Sequence, residues 1–447
     1  MYKLIDHGSF YSIPRYALVI EKSALKNGNS IDSILEKLPL NALHDSYNNV
    51  RQRKLTASQS EKNKRGRLTI FPVGVLCEGS CTYCYTKWSP ETHRQLKNKD
   101  NFMTPEGMEP FLKQVEPHIV KDDLNVFLMG GDPLLHPHID ELVDKIYDVV
   151  GCKFKLAMCA DFMWSDKRYA ELTEQTYKWL NDDRIKSVQH ICTIDFGSPE
   201  RFSAYHNLTP KDIQNRYLEW LDLFQDNDKA ILKGKSVLSN RTNIHELLDI
   251  YKSIEDKNHF MEVDTCYNVK HIPTLSQTKE YIEAMEKEYK VVSMHRERKK
   301  LLVNDYTRRQ IENKNRRFYN MWVQLMDGVY YFDPRVNQIC AAYCDNFAFN
   351  ATNFVACVAG FLEETPDIDS VMQLSPNSSN NDNIYNLANH CKDCEYQPTC
   401  EMCNLLRKYV KCNEHEGLKY WFEWSWRLLC ENRDTWRVQD IDGNDII

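Results

Sequence analysis

Apolar positions along the chain fall into two alternating rhythms. Short apolar runs at Leu68–Leu76, Asn125–Met129, Lys155–Cys159, Val188–Ile194, Ala230–Leu238 and Phe260–Val263 read as strands. Between them the spacing becomes helical: Ile139, Leu142, Val143, Ile146 and Val150 recur at intervals of three and four. Thr104-Pro105 offers an N-cap followed by proline at the first helical position. Thr242 and Asn243 cap a segment carrying Leu247, Leu248 and Ile250, and Gln277–Lys290 predicts a further helix. Strands alternating with helices predict parallel βα units and an α/β fold.

The flanks follow neither rhythm. Residues 1–66 are weakly patterned, with a short helix expected over Ile31–Leu38 and an exposed linker over the basic run Arg51–Arg67. Residues 294–338 read as a charged helical segment. From Cys340 the βα alternation is lost and cysteines crowd together. Leu374–Tyr385 is rich in Ser and Asn and reads as a loop. Trp421, Trp424 and Trp426 are expected to pack from a C-terminal helix. The expected organisation is an N-terminal extension (1–66), a βα core (67–293), a basic helical bridge (294–338) and a cysteine-rich domain with a C-terminal helix (339–447).

Length and composition narrow the class. A chain of 447 residues is too long for one ordinary core and predicts two or three domains. No apolar run approaches the roughly 20 residues a membrane helix needs. Lys3, Asp6 and His7 interrupt the start of the chain, so no secretory signal is read there. A cytoplasmic protein without membrane attachment is expected, and in that compartment 16 cysteines point to metal rather than disulfides. The net charge of −7 gives no global attraction for nucleic acid. Two stretches, Arg51–Arg67 and His295–Arg317, each carry a local excess of basic residues.

The chemistry concentrates at Cys77-Glu-Gly-Ser-Cys81-Thr-Tyr-Cys84. This C-x3-C-x2-C spacing brings three thiolates to one point and leaves a fourth position open. Thiolates hold iron–sulfur clusters, whereas a closed structural zinc site needs four ligands. With aromatic Tyr83 before its last cysteine, the stretch resembles the signature of the radical S-adenosylmethionine (SAM) superfamily. The resemblance implies a [4Fe-4S] cluster on Cys77, Cys81 and Cys84 whose open iron is chelated by SAM. It implies cleavage of SAM to methionine and a 5′-deoxyadenosyl radical, a partial (β/α)6 TIM-like barrel, and a low-potential electron donor such as flavodoxin or ferredoxin.

Further motifs agree. Gly130-Gly131-Asp132-Pro133, after the second strand, resembles the family's Gly-Gly-Glu-Pro, whose glycines admit the methionyl part of SAM. Thr193-Ile-Asp195, ending the fourth strand, resembles the family's Ser-x-Asp, which implies that Thr193 and Asp195 touch SAM. The usual Thr-Asn-Gly after the third strand is replaced by Cys159-Ala-Asp161. Ser239 and Asn240 are weaker SAM candidates. Cys152, Cys159, Cys192 and Cys266 lie in or beside strands and read as structural.

The run Cys391-x2-Cys394-x5-Cys400-x2-Cys403, flanked by Cys340, Cys344, Cys357, Cys412 and Cys430, is by spacing a zinc ribbon or an iron–sulfur site. Beside a radical SAM core it resembles the SPASM extension, which carries auxiliary [4Fe-4S] clusters. The last interval is one residue shorter than in that family. The resemblance implies an inner cluster on Cys340, Cys344, Cys357 and Cys403. It implies an outer one on Cys391, Cys394, Cys400 and either Cys412 or Cys430. The family's glycine before Cys357 is Thr352 here, and Asn350 and Asn353 can make that turn. Val358 stands where sulfatase-maturing relatives have a catalytic Asp, which counts against that reaction. The favoured substrate is a side chain of a ribosomally made peptide or protein, crosslinked or oxidised. The alternative is modification or isomerisation of a nucleobase in DNA or RNA.

Overall fold

A computed structural model of the 447-residue chain describes residues 2–26, 28–38, 65–74, 76–77, 79, 81, 84, 102–194, 208–224, 226–255, 261–266, 270–288, 322–332, 346–351, 353–357, 360–365, 394–395, 410–431 and 438–439. In chain order the elements begin with strands β1 (Ile5–Asp6), β2 (Phe10–Ile13) and β3 (Leu18–Glu21), then helix α1 (Ile31–Lys37). Next come β4 (Arg67–Ile70), α2 (Pro105–Val115), β5 (Asn125–Leu128), α3 (Ile139–Val150), β6 (Phe154–Ala160) and α4 (Asp166–Asn181). They are followed by β7 (Ile185–Thr193), α5 (Pro210–Phe224), β8 (Ala230–Leu238), α6 (Ile244–Glu255), β9 (Met261–Thr265) and α7 (Leu275–Glu288). The remainder is β10 (Trp322–Met326), β11 (Val329–Phe332), β12 (Asn346–Phe349), β13 (Phe354–Cys357), β14 (Gly360–Thr365), α8 (Glu416–Glu431) and β15 (Val438–Gln439).

Two compact units result, and their limits do not follow the linear boundaries read from sequence. The larger comprises Ser58–Pro273 and Cys340–Asn381; the other comprises Met1–Ala57, Thr274–Ile339 and Asp382–Ile447.

In the larger unit β4 to β9 pair in sequence order, every pair parallel. Helices α2 to α6 occupy the connections, which is the sequence of a (β/α)6 unit. The six expected strands are all present. The first is shorter than its apolar run: β4 stops at Ile70 and the chain turns at once, with Gly74 N–H donating to Phe71 O at 3.2 Å. Alternation along β6 shows how the layers form. Phe154, Leu156, Met158 and Ala160 are buried, while Lys155, Ala157 and Cys159 on the opposite face are not. Helix α3 buries the five residues whose spacing predicted it and ends at Gly151, whose φ of 66° gives the left-handed cap. Strand β12 joins the free edge of β4 in parallel, and β13 and β14 continue antiparallel from it. The β12–β13 turn is made by the asparagines expected there. Asn350 N–H donates to Asn353 O at 2.9 Å, and Asn353 N–H to Asn350 Oδ1 at 2.8 Å.

The second unit is built on a sheet of order β1-β2-β3-β11-β10-β15. The chain's first residues are thus sheet-forming rather than a loose extension, and Phe10, Ile13, Leu18 and Ile20 lie in a core with Val329, Tyr331 and Trp426. The hairpin β10–β11 falls inside the segment 294–338 expected to be helical. Asp327-Gly328 is a two-residue turn with Gly328 at φ 69°, joining two runs of apolar and aromatic residues. Residues 294–321 of that segment lie outside the described residues. Helix α8 carries the three expected tryptophans. Trp426 is buried and donates to Ser12 Oγ at 3.0 Å, and Trp421 stacks on Tyr281 of α7. Among the described residues no helix is long and apolar enough to cross a membrane.

One buried group in the larger unit makes stability depend on pH. His190 of β7 is fully buried, its Nε2 3.2 Å from Thr176 Oγ1 and its ring edge-on to Trp220. Its Nδ1 has no hydrogen-bond partner. Burial pushes its pKa down to about 3, because a charged imidazolium would lose its water. The unfolded chain binds the proton near pH 6.5, so this stabilisation is complete above that pH and is lost as pH falls. About 2 kcal/mol of unfolding free energy should disappear between pH 6.5 and 5. His190→Phe should remove that share of the slope in denaturant titrations; equal slopes for both proteins would refute it.

Candidate functional site

The carboxyl ends of β4 to β7 carry the residues singled out in the sequence, as parallel βα architectures place their chemistry. After β4 the chain runs through Gly74 to Leu76, whose N–H donates to Val73 O at 3.1 Å, and delivers Cys77. The Gly79 N–H donates to Cys77 Sγ at 3.2 Å. A Cβ added at Gly79 would lie 3.3 Å from Cys77 Sγ, 3.6 Å from Cys81 Sγ and 2.7 Å from Met163 Cε. The glycine therefore leaves a small cradle against which two thiols converge. Cys84 follows one turn later, its N–H donating to Cys81 O at 3.3 Å. All three cysteines are free and partly accessible. Among the described residues no three His, Cys, Asp or Glu side chains close into a metal-holding group. Tyr83 lies outside the described residues.

The turn after β5 is fastened to this loop. Gly130 has φ 116°, and a Cβ there would fall 1.9 Å from Gly74 O. Gly131 N–H donates to Gly74 O at 3.1 Å, and Asp132 N–H donates to Leu76 O at 2.8 Å. The glycine pair thus brings its backbone against the chain immediately before Cys77. Pro133 opens a short 3-10 turn, Pro133–Leu135, capped by the Asp132 side chain. The Arg168 guanidinium holds that turn from α4, donating to Leu134 O and His136 O, each at 2.8 Å from Nη2.

The Asp132 side chain points into protein. It is 1% exposed. Oδ1 accepts from Leu134 N–H at 3.0 Å, and Oδ2 accepts from the Trp164 indole N–H. The Asp161 carboxyl lies close to it. Burial first, and then the neighbouring Asp161 charge, hold the Asp132 carboxyl well above the usual range.

Asp161, which follows β6 in the Cys159-Ala-Asp161 stretch, is a site residue to which the sequence assigned no role. Its Oδ2 accepts from the Cys77 thiol at 3.4 Å, and its Oδ1 accepts from Met163 N–H at 3.0 Å. Phe162 beside it sits at φ 60°, unusual for a bulky residue. The strain is held by burial of its ring against Trp164, Tyr217 and Trp220. It is held also by Arg216, which donates to both Phe162 O and Trp164 O. The signal in the sequence was position: Asp161 stands directly after the third strand.

The Cys77 thiol is raised well above its usual range by burial, then by the charges of Asp161, Cys81 and Asp132. Cys159, expected to be structural, is partly accessible on the less buried face of β6. Burial, with Asp132 and Asp161 nearby, pushes its thiol up to about 12, and Lys235 opposes that shift. Cys192 and Cys266 are buried.

Thr193 ends β7 and pairs with Lys235 of β8; Asp195 lies outside the described residues. Ser239 and Asn240 serve the turn into α6. Ser239 Oγ accepts from Arg241 N–H at 3.2 Å, and Asn240 Nδ2 donates to Lys270 O at 3.0 Å. Of the candidate auxiliary ligands, Cys357 is the last residue of β13. In the second unit, Cys394 packs against the core that contains the fully buried Cys430, and Cys412 begins a 3-10 turn. Cys340, Cys344, Cys391, Cys400 and Cys403 lie outside the described residues.

No family model matches the chain, and no curated protein matches it in sequence. Among solved structures it is similar to "Native anSMEcpe with bound AdoMet", with 13% identity and a TM-score of 0.51. The alignment covers 82% of this chain and 99% of that one. At that identity the likeness establishes the fold.

Proposed function

We propose that this chain is a radical SAM enzyme. The observation that carries the reading is the joint placement of the C-x3-C-x2-C loop and the Gly-Gly-Asp-Pro turn. They stand on adjacent parallel strands, hydrogen-bonded to one another through Gly74 and Leu76. The residues fit the cofactors. Cys77, Cys81 and Cys84 would hold a [4Fe-4S] cluster by three thiolates. Two of those sulfurs, on Cys77 and Cys81, already converge beside Gly79, and the Gly130-Gly131 turn fixes the chain immediately before Cys77. Bound there, the cluster and SAM supply reductive cleavage of SAM and, through it, removal of hydrogen from an unactivated carbon. The protein binds, orients and excludes competing reactions. Here the Phe162–Trp164 turn and the Arg168 and Arg216 clamps fix the wall beside Cys77. The fold shared with a protein that binds AdoMet supports the reading.

The cysteines from Cys340 to Cys430 are proposed to hold one or two auxiliary [4Fe-4S] clusters of SPASM type. A side chain of a ribosomally made peptide or protein is the proposed substrate, and flavodoxin or ferredoxin the proposed electron source. The test is anaerobic reconstitution followed by assay for 5′-deoxyadenosine with a reductant. Turnover stimulated by a co-encoded precursor peptide supports the peptide reading. Turnover stimulated by DNA or RNA, with binding that weakens steeply in salt, replaces it by nucleobase modification. Absence of any SAM cleavage by iron-loaded protein refutes the enzyme reading.

A further inference from the structure

The residues around Cys77 form a chain of contacts that ends on the sulfur. Trp164 donates to Asp132, the Asp161 carboxyl lies close to that of Asp132, and Asp161 Oδ2 meets Cys77 Sγ at 3.4 Å. Asp132, the acidic residue of the Gly-Gly-Asp-Pro turn, has both oxygens engaged by protein N–H groups. Asp161 has one oxygen so engaged, by Met163, and presents the other to the sulfur. Once Cys77 ligates iron it is a thiolate and no longer donates. Oδ2 of Asp161 then faces a negative sulfur and has lost the donor it accepts from. Among the described residues no Lys, Arg or His side chain hydrogen-bonds or ion-pairs with Cys77, Asp132 or Asp161. Buried charge of one sign is costly unless a partner of the other sign is bound. The site therefore calls for a cation at the edge of the cysteine loop, and the ligand proposed there carries one in its α-ammonium.

Resting on the radical SAM reading, we infer that Asp161 is the carboxylate that receives the α-ammonium of SAM, with Asp132 positioned behind it as support. The strained turn at Phe162 and the Arg216 clamp serve this placement by aiming Asp161 at Cys77. A charge-assisted hydrogen bond of this kind changes affinity by about ten- to a hundredfold.

The test measures binding of SAM, and of an analogue lacking only the α-amino group, to cluster-loaded wild-type protein and to Asp161→Asn. Titration calorimetry reads affinity. Electron paramagnetic resonance of the reduced cluster reads the spectral shift on ligand addition. The asparagine keeps an acceptor for Met163 N–H, so iron content should be unchanged. SAM should bind the variant about ten- to a hundredfold more weakly, the analogue should lose nothing further, and Asp161→Glu should recover part of the loss. Equal weakening of both ligands would make Asp161 merely structural, and unchanged SAM affinity would remove it from the site; either overturns the inference. Asp161→Ser gives the same comparison if the asparagine variant fails to fold. If wild-type protein takes up no iron or binds no SAM, the radical SAM reading itself falls.

Discussion

Replacing Cys77, Cys81 and Cys84 together by alanine is expected to leave the protein folded and abolish formation of 5′-deoxyadenosine. If the proposed loop cluster and two auxiliary clusters are all present, the intact chain takes up about twelve iron atoms and the triple variant about eight. The loop's thiols are not part of the apolar core. The three cysteines are partly accessible, whereas the layers beneath are held by Leu68, Ile70, Val126, Leu128, Leu156 and Met158. Removing the Cys77 sulfur deletes its hydrogen bonds with Asp161 and with Gly79 N–H, each worth about 1 kcal/mol at most. A large catalytic loss with a small change in melting temperature is thus the signature of a cofactor loop. Uptake of stoichiometric zinc by intact protein, with only about four irons, would leave the loss of 5′-deoxyadenosine standing and sink the auxiliary clusters. Loss of fold in the triple variant would show the loop to be structural.

The βα core was legible because its strands are buried between layers and bounded by turn signals. All six appear, and α3 buries the face its spacing drew. The chain's two ends were less legible, for two physical reasons. Strands β1 to β3 are two to four residues long, too short for a period to show, and their partner β11 lies some 300 residues away. The hairpin β10–β11 did carry a local signal, Asp327-Gly328, but the basic run preceding it drew the segment toward a charged helix. At the site, sequence supplied the cysteine loop and the glycine pair, because those are contiguous. It could not supply Asp161, whose partners Cys77 and Asp132 are 84 and 29 positions away and meet it only when three strands end together. The motif reads Asp132 as a contact for SAM, and in the structure its side chain accepts from Leu134 N–H and from the Trp164 indole.

Gly130→Ala is expected to destabilise the larger unit by roughly 3 kcal/mol and to disrupt the cysteine loop with it. At φ 116° an L-residue is strained by about 1–3 kcal/mol before any contact is counted. The added Cβ would also stand 1.9 Å from the Gly74 carbonyl oxygen and 3.3 Å from the Phe71 ring. That oxygen cannot swing away freely, since it accepts Gly131 N–H, and Gly74 N–H is tied to Phe71 O. Relief therefore means breaking the Gly131–Gly74 bond, for about 1 kcal/mol, and drawing the two strand ends apart. Asp132 N–H would leave Leu76 O, the residue directly before Cys77, so the strain passes to the cofactor loop. For a unit of this size the melting temperature should fall by roughly 6–12 °C. Gly151→Ala is the control. Gly151 is also left-handed, at φ 66°, but has nothing within 4 Å of the new Cβ. It should cost only about 1 kcal/mol and leave SAM binding and iron content unchanged. If the two variants melt together, the close approach of the second βα turn to the cysteine loop is not what holds the site.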